Sequence, residues 1–209
     1  MNLHDLGIKY NTNKAFYHNY CKFYDRILTP IRNETTAMLE LGIDNGSSLH
    51  MWHDYFINAK IYGIDINEKS LFQNDRIITG LADQSKPETM LQLVKEWDVK
   101  DFHFIIDDGS HIVSHQQICI ETLWPYVKKG GIYIIEDLHT NILENFYTHP
   151  HLNPSIIKQY IDIVPTVHDN IINTMRGEHV FSFVNEIEDI YYFNNVATNS
   201  LACVFIKKV

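Results

Sequence analysis

Up to Leu138 the chain alternates between short apolar runs that end in polar residues and longer amphipathic stretches. The runs are Ala37–Leu41, Lys60–Asp65, Arg76–Thr79, Phe102–Asp107 and Ile132–Glu136. Several are apolar throughout, the pattern of strands covered on both faces. Between them, Ser48–Phe56, Pro87–Glu96 and Ser114–Tyr126 read as helices, with Pro87 suited to a first helical turn. Lys128-Lys129-Gly130-Gly131 reads as a helix C-terminus with a glycine stop. Such alternation predicts right-handed βαβ units and an α/β, doubly wound, Rossmann-like sheet with helices on both faces.

Beyond Leu138 the pattern changes. Ser155–Ile163 and Val167–Arg176 read as helices, and Ile190–Asn194 and Leu201–Lys207 as an antiparallel strand pair closing a mostly parallel sheet. The segment before residue 37, rich in Tyr, His and Asn, predicts a partly helical cap. With no repeat, low-complexity tract or linker, the expectation is one domain, with residues 1–36 as cap and 37–209 as core.

Composition narrows the partners. The 17 basic and 26 acidic residues leave a net charge of -9, and no Lys/Arg cluster exists to neutralise nucleic-acid phosphates. Three scattered cysteines, Cys21, Cys119 and Cys203, form neither a zinc spacing nor a disulfide framework. No secretory signal is visible at Met1–Asp5 and no apolar run approaches the roughly 18 residues of a membrane span. A cytoplasmic protein is expected. The 12 Tyr and 11 Phe exceed what a minimal core needs, so some rings should line a pocket or a subunit contact, and a homo-oligomer is expected.

In open α/β sheets ligands bind beyond the carboxyl ends of the strands. The first strand ends in Leu39-Glu40-Leu41-Gly42 and continues Ile43-Asp44-Asn45-Gly46-Ser47-Ser48. Two glycines and small polar residues allow backbone amides to approach a ligand, although the G-x-G-x-x-G dinucleotide pattern is absent. Glu40 can meet a ligand ammonium group. Asp65, at the end of the second strand, suits two ribose hydroxyls. Asp83 and Gln84 follow the third strand, where Asp83 can accept from an adenine amino group. Each alone is more often a cap or turn residue. Three acids at successive strand ends after a glycine loop are explained together by an adenosine-bearing cofactor.

The fourth strand runs into Asp107-Asp108-Gly109-Ser110-His111 and the fifth into Glu136-Asp137-Leu138-His139. Adjacent strands would gather four carboxylates and two histidines at one rim. Unpaired, those carboxylates would raise each other's pKa, and a hard divalent cation with oxygen ligands would relieve the repulsion. His111 would stand beside it as a base.

At these residues the sequence resembles the metal-dependent class I O-methyltransferases that act on sugars of macrolide antibiotics, the macrocin and mycinamicin group, with relatives in surface-polysaccharide biosynthesis. The matching pieces are Leu39–Ser48, Tyr62–Ile66, Ala82–Ser85, Asp107–His111 and Gly130–Thr140. The specific part is Asp108-Gly109-Ser110-His111 with Glu136-Asp137. The resemblance implies a class I methyltransferase fold, S-adenosylmethionine (SAM) and Mg²⁺, and methyl transfer to a hydroxyl of a sugar, whether a polysaccharide precursor, sugar nucleotide or glycosylated natural product. It implies Asp108, Glu136 and Asp137 as metal ligands, and His111, with Asp108, as the catalytic pair. Glu40, Gly42, Ser47, Asp65, Asp83, Gln84 and Asp107 are the implied cofactor residues. Tyr10-Asn11-Thr12-Asn13-Lys14 resembles the family's Gly-Thr-Asp-Lys stretch, with Asn13 where the family has the acid. The competing expectations are methylation of an aromatic diol or amine, a nucleotide-dependent oxidoreductase, an iron hydroxylase using His111 and His139, and a non-catalytic SAM-binding protein.

Overall fold

The computed structural model describes residues 1–138, 140, 183–195, 198 and 200–209. The expected helices at residues 155–163 and 167–176, and His139, lie outside them. Seven described strands form one sheet: β1 (Ala37–Leu41), β2 (Lys60–Asp65), β3 (Ile77–Leu81), β4 (Phe102–Asp107), β5 (Val127–Ile135), β6 (Ile187–Asn195) and β7 (Ser200–Lys207). Their order is β3-β2-β1-β4-β5-β7-β6. The first five run parallel, and β7 is antiparallel to both β5 and β6. The order reverses at β1, so β1 and β4 flank the switch point where such sheets bind ligands.

Helices α4 (Ser47–Tyr55), α5 (Pro87–Glu96) and α6 (Val113–Leu123) connect the parallel strands. Pro87 occupies the first turn of α5, as the sequence predicts. The cap forms α1 (Leu3–Lys9), α2 (Asn13–Phe16) and α3 (Tyr20–Leu28). Asn2 caps α1 and Thr12 caps α2 through their side chains.

Side chains of the buried strands alternate between two apolar layers. Leu39, Ile105, Tyr133 and Ile135 face the layer holding α5 and α6. Met38, Phe104, Ile106, Ile132 and Ile134 face the other, packed by Tyr20 and Tyr24 of the cap and Trp52 of α4. Both layers consist of apolar side chains held almost wholly out of water, the dominant favourable term in folding. No described helix is long and apolar enough to cross a membrane.

One expectation is corrected. Lys128-Lys129-Gly130-Gly131 belongs to β5, not to a helix end. The helix stops at Leu123, and a 3₁₀ turn, Trp124–Tyr126, leads directly into the strand. Phe102 pairs with Val127 but Phe104 pairs with Ile132, so the intervening residues bulge out of register. Gly130, at φ +72°, supplies the left-handed backbone that this bulge requires. A glycine pair marks a backbone special in either setting, which is why the sequence alone points to a helix stop.

Candidate active site

The period-2 alternation of the strands assigns the acidic residues to opposite sides of the sheet. Glu40 lies two residues after Met38, Asp108 two after Ile106 and Glu136 two after Ile134, all on the cap side. Backbone bonds from Asp108 N to the Leu41 carbonyl (2.9 Å) and from Glu136 N to the Asp107 carbonyl (2.9 Å) continue the ladder and set the three acids side by side. Asp107 has the opposite parity. Its carboxylate accepts from Gln84 Nε2 (3.4 Å) and Gly109 N (3.3 Å) on the far side. Burial pushes the Asp107 carboxyl up to about 6.

Lys14 of α2 enters the group of three acids from the cap. Its side chain is 1% exposed, and its ammonium pairs with Asp108, with Glu136 Oε2 at 2.6 Å and with Glu40 Oε1 at 3.4 Å. Burial alone would lower the lysine pKa; the three carboxylates outweigh it and hold Lys14 charged. Burial likewise opposes ionisation of Asp108, but Lys14 and His111 overcome it and keep this carboxyl below its usual range. Glu136 is driven upward, chiefly by burial and against the pull of Lys14. Burial pushes Glu40 up to about 7, and Ser48 Oγ donates to it at 2.7 Å.

A second grouping opens toward solvent. Ligand atoms of Asp108, His111 and Asp137 all lie within 4.8 Å of one another, the one grouping among the described residues able to hold a metal ion. Tyr20 of the cap donates to Asp137 Oδ1 at 2.7 Å, while Asp137 Oδ2 stands 3.7 Å from His111 Nε2. His111 (φ 58°) and Asp137 (φ 55°) both adopt left-handed backbone, a costly conformation for non-glycine residues that tends to collect at functional sites. Thr140 holds the two loops together, its hydroxyl donating to the carbonyls of His111 (2.9 Å) and Asp137 (2.8 Å).

A cleft of about 680 Å³ runs from this grouping across the strand ends. Of the expected cofactor residues, Gly42, Ser47, Asp65, Asp83 and Gln84 line it. Asp65 Oδ2 accepts from Ile43 N (2.8 Å) and Asp44 N (3.2 Å), which ties the glycine loop to β2. Asp83 binds the Ser85 amide (2.9 Å) and hydroxyl (2.6 Å). Glu40 and Asp107 are not in the cleft wall. Glu40 does meet an ammonium group, but that of Lys14. Of the expected metal ligands, Asp108 and Asp137 line the cleft, whereas Glu136 faces Lys14 behind it.

Gly42 lines the cleft where the glycine loop meets the Asp108 loop. Its φ is +86°, and a Cβ there would collide with the backbone carbonyl of Asp108. Gly42→Ala is therefore expected to cost about 1–3 kcal/mol from backbone strain alone, and to push the Asp108 loop out of place. Thermal unfolding checks the first effect, and a melting temperature equal to wild type would disprove it.

No family model matches the sequence. Curated relatives do. Demethylmacrocin O-methyltransferase of Streptomyces fradiae is 38% identical over 146 residues, covering 66% of this chain and 36% of that protein. Mycinamicin VI 2''-O-methyltransferase of Micromonospora griseorubida is 36% identical over 146 residues, with the same coverage. The chain's homologues are sugar O-methyltransferases.

Among solved structures, MycE methyltransferase from the mycinamycin biosynthetic pathway, in complex with Mg and SAH, superposes with a TM-score of 0.77. It is 28% identical, and the match covers all of this chain and 55% of that one. The O-methyltransferase from Bacillus cereus in complex with SAH, 12% identical at a TM-score of 0.54, shares the fold. The chain spans about a third of the length of the curated relatives it matches. The doubly wound sheet is thus the methyltransferase fold, with the expected antiparallel C-terminal pair.

Lys14 is the residue that sequence reasoning passed over. Its signal was available: a lysine in the cap stretch that resembles Gly-Thr-Asp-Lys. Only the docking of α2 on the sheet shows what it reaches.

Proposed function

We propose that this chain is a SAM-dependent O-methyltransferase that methylates a sugar hydroxyl with the help of a divalent cation. The supporting observation is the convergence of Asp108, His111 and Asp137 in the same cleft as Gly42, Asp65 and Asp83. A further relative, 34% identical and named 8-demethyl-8-alpha-L-rhamnosyl tetracenomycin-C 2'-O-methyltransferase, points to the same acceptor class.

The residues present fit both groups. Gly42 lets the Asp108 loop close against the glycine loop, and the acids at the ends of β2 and β3, which line the cleft, offer acceptors for ribose hydroxyls and an adenine amino group. The carboxylates of Asp108 and Asp137 suit a hard cation with room left for substrate oxygens, and His111 stands beside them as a base. SAM supplies an electrophilic methyl group, and a divalent cation lowers the pKa of a hydroxyl beside it.

The chain's own residues do the rest. Asp65 and Asp83 orient the donor, so that binding prepays the alignment an in-line displacement demands. Asp108 and Asp137 would hold the cation, with Tyr20 fixing one oxygen of Asp137. His111 Nε2 would accept the proton of the acceptor hydroxyl as the oxygen–methyl bond forms and the sulfur–methyl bond of SAM breaks, with S-adenosylhomocysteine as the leaving group. The three cysteines, buried and unpaired, suit a cytoplasmic site of action, and the net charge of -9 argues against a nucleic-acid acceptor. Exposed Phe16, Tyr17 and Tyr191 provide apolar surface for a homo-oligomer, and a single monomeric peak in light scattering would disprove that assembly.

Calorimetry with SAM, with and without Mg²⁺, tests the assignment. Wild type should bind SAM, and Asp65→Ala should bind at least about tenfold more weakly, the ~1.4 kcal/mol expected of a charge-assisted hydrogen bond. Well-folded wild-type protein that does not bind SAM would remove the methyltransferase assignment.

A further inference from the structure

We infer that the Lys14 ammonium is a built-in competitor of the divalent cation: it occupies the carboxylates when the metal is absent and retreats onto Glu40 when the metal binds. The inference rests on the metal-assisted function proposed above. It concerns this chain's own N-terminal segment, which no motif of the sheet explains.

Lys14 touches two populations of acid. Asp108 and Glu136 accept from its ammonium at hydrogen-bonding range, whereas Glu40 stands further off, at 3.4 Å. Asp108 also belongs to the metal-capable group with His111 and Asp137. One carboxylate therefore serves two cations. A magnesium ion sits about 2.0–2.1 Å from its oxygen ligands, so a cation on Asp108 would lie within a few ångströms of the ammonium. The ammonium itself is almost wholly buried, its side chain 1% exposed, so a second positive charge at that spacing repels it more strongly than it would in water.

Glu40 offers Lys14 somewhere to go. It is fully buried, and its Oε1 accepts no hydrogen bond. A small rotation of the lysine toward Glu40 exchanges one charged partner for another without exposing the ammonium to an apolar wall. Because Lys14 is anchored on α2, between the Thr12 cap and Phe16 at the cleft rim, metal binding would also move the cap that forms one side of the substrate cleft.

The sign of the effect separates this device from an ordinary structural ion pair. If Lys14 merely positions Asp108 for the metal, removing its charge weakens metal binding. If it competes, removal strengthens binding. Isothermal titration of SAM-free protein with Mn²⁺ should give an affinity at least about tenfold higher for Lys14→Met than for wild type, and severalfold lower for Glu40→Gln. Unchanged or weaker binding by Lys14→Met overturns the inference while leaving the metal site in place. Absence of Mn²⁺ binding by both proteins removes the metal site and the inference together.

Lys14→Met leaves three acids without their shared cation, so wild type provides a second measurement that does not depend on the variant folding. A buried ammonium exchanges its protons slowly enough to follow by ¹⁵N NMR. Saturating Mg²⁺ should shift the Lys14 Nζ resonance, and Glu40→Gln should abolish or reverse that shift. A resonance indifferent to Mg²⁺ under conditions where calorimetry detects binding overturns the inference.

Discussion

Replacing His111 with alanine is expected to lower turnover by about 10²–10⁴-fold, the usual worth of a general base, with SAM affinity unchanged. The geometry around the histidine suits the proposed role. Its backbone is held in a left-handed conformation, its carbonyl is fixed by Thr140, and its Nε2 faces Asp137 in the cleft. None of its described contacts is with the acids at the ends of β2 and β3, so donor binding should not depend on it. Initial rates on a sugar acceptor, paired with SAM calorimetry, read the two effects separately. Near-normal turnover would remove His111 as the base. A parallel loss of SAM affinity would make it part of the donor site instead.

Asp108→Ala should be equally damaging for a different reason. Asp108 is the one acid shared by the Lys14 ion cluster and the metal-capable group. Its removal would take a ligand from the proposed cation, whose charge stabilisation is worth several kcal/mol, so a loss of at least about 10²-fold in rate is expected at 1.36 kcal/mol per decade. Stimulation by Mg²⁺ should disappear with it. The variant should also melt lower than wild type, because breaking one side of a buried ion pair leaves uncompensated charge. Glu136→Gln is the informative companion. Glu136 faces Lys14 and not the cleft, so it should share the stability loss while retaining more of the metal response. A Mg²⁺ response in Asp108→Ala equal to wild type would contradict the assignment of this residue.

The resemblance to sugar O-methyltransferases was carried in the sequence by Asp108–His111 and Glu136-Asp137, and the homologues found by comparison are of that group. Strand β1, strand β2, strand β4 and helix α5 were legible to the residue, because parallel strands buried on both faces read as unbroken apolar runs. The glycine pair at 130–131 was not. Whether such a pair ends a helix or bends a strand depends on the partner strand, here β4, and not on its neighbours in sequence.

The sequence by itself determined the chemistry at the strand ends: which acids follow which strands, and that His111 stands three residues beyond Asp108. It also determined the doubly wound architecture, since hydrophobic period and run length are local properties. Tertiary structure alone decided how those acids divide. Adjacency of β1, β4 and β5, combined with side-chain parity, turned Glu40, Asp108 and Glu136 toward the cap and Asp107 away from it. The cap then answered with Lys14, more than ninety positions earlier than Asp108 in the chain. A buried charge must find its counter-charge wherever the fold brings one, and no local pattern records a partner at that distance.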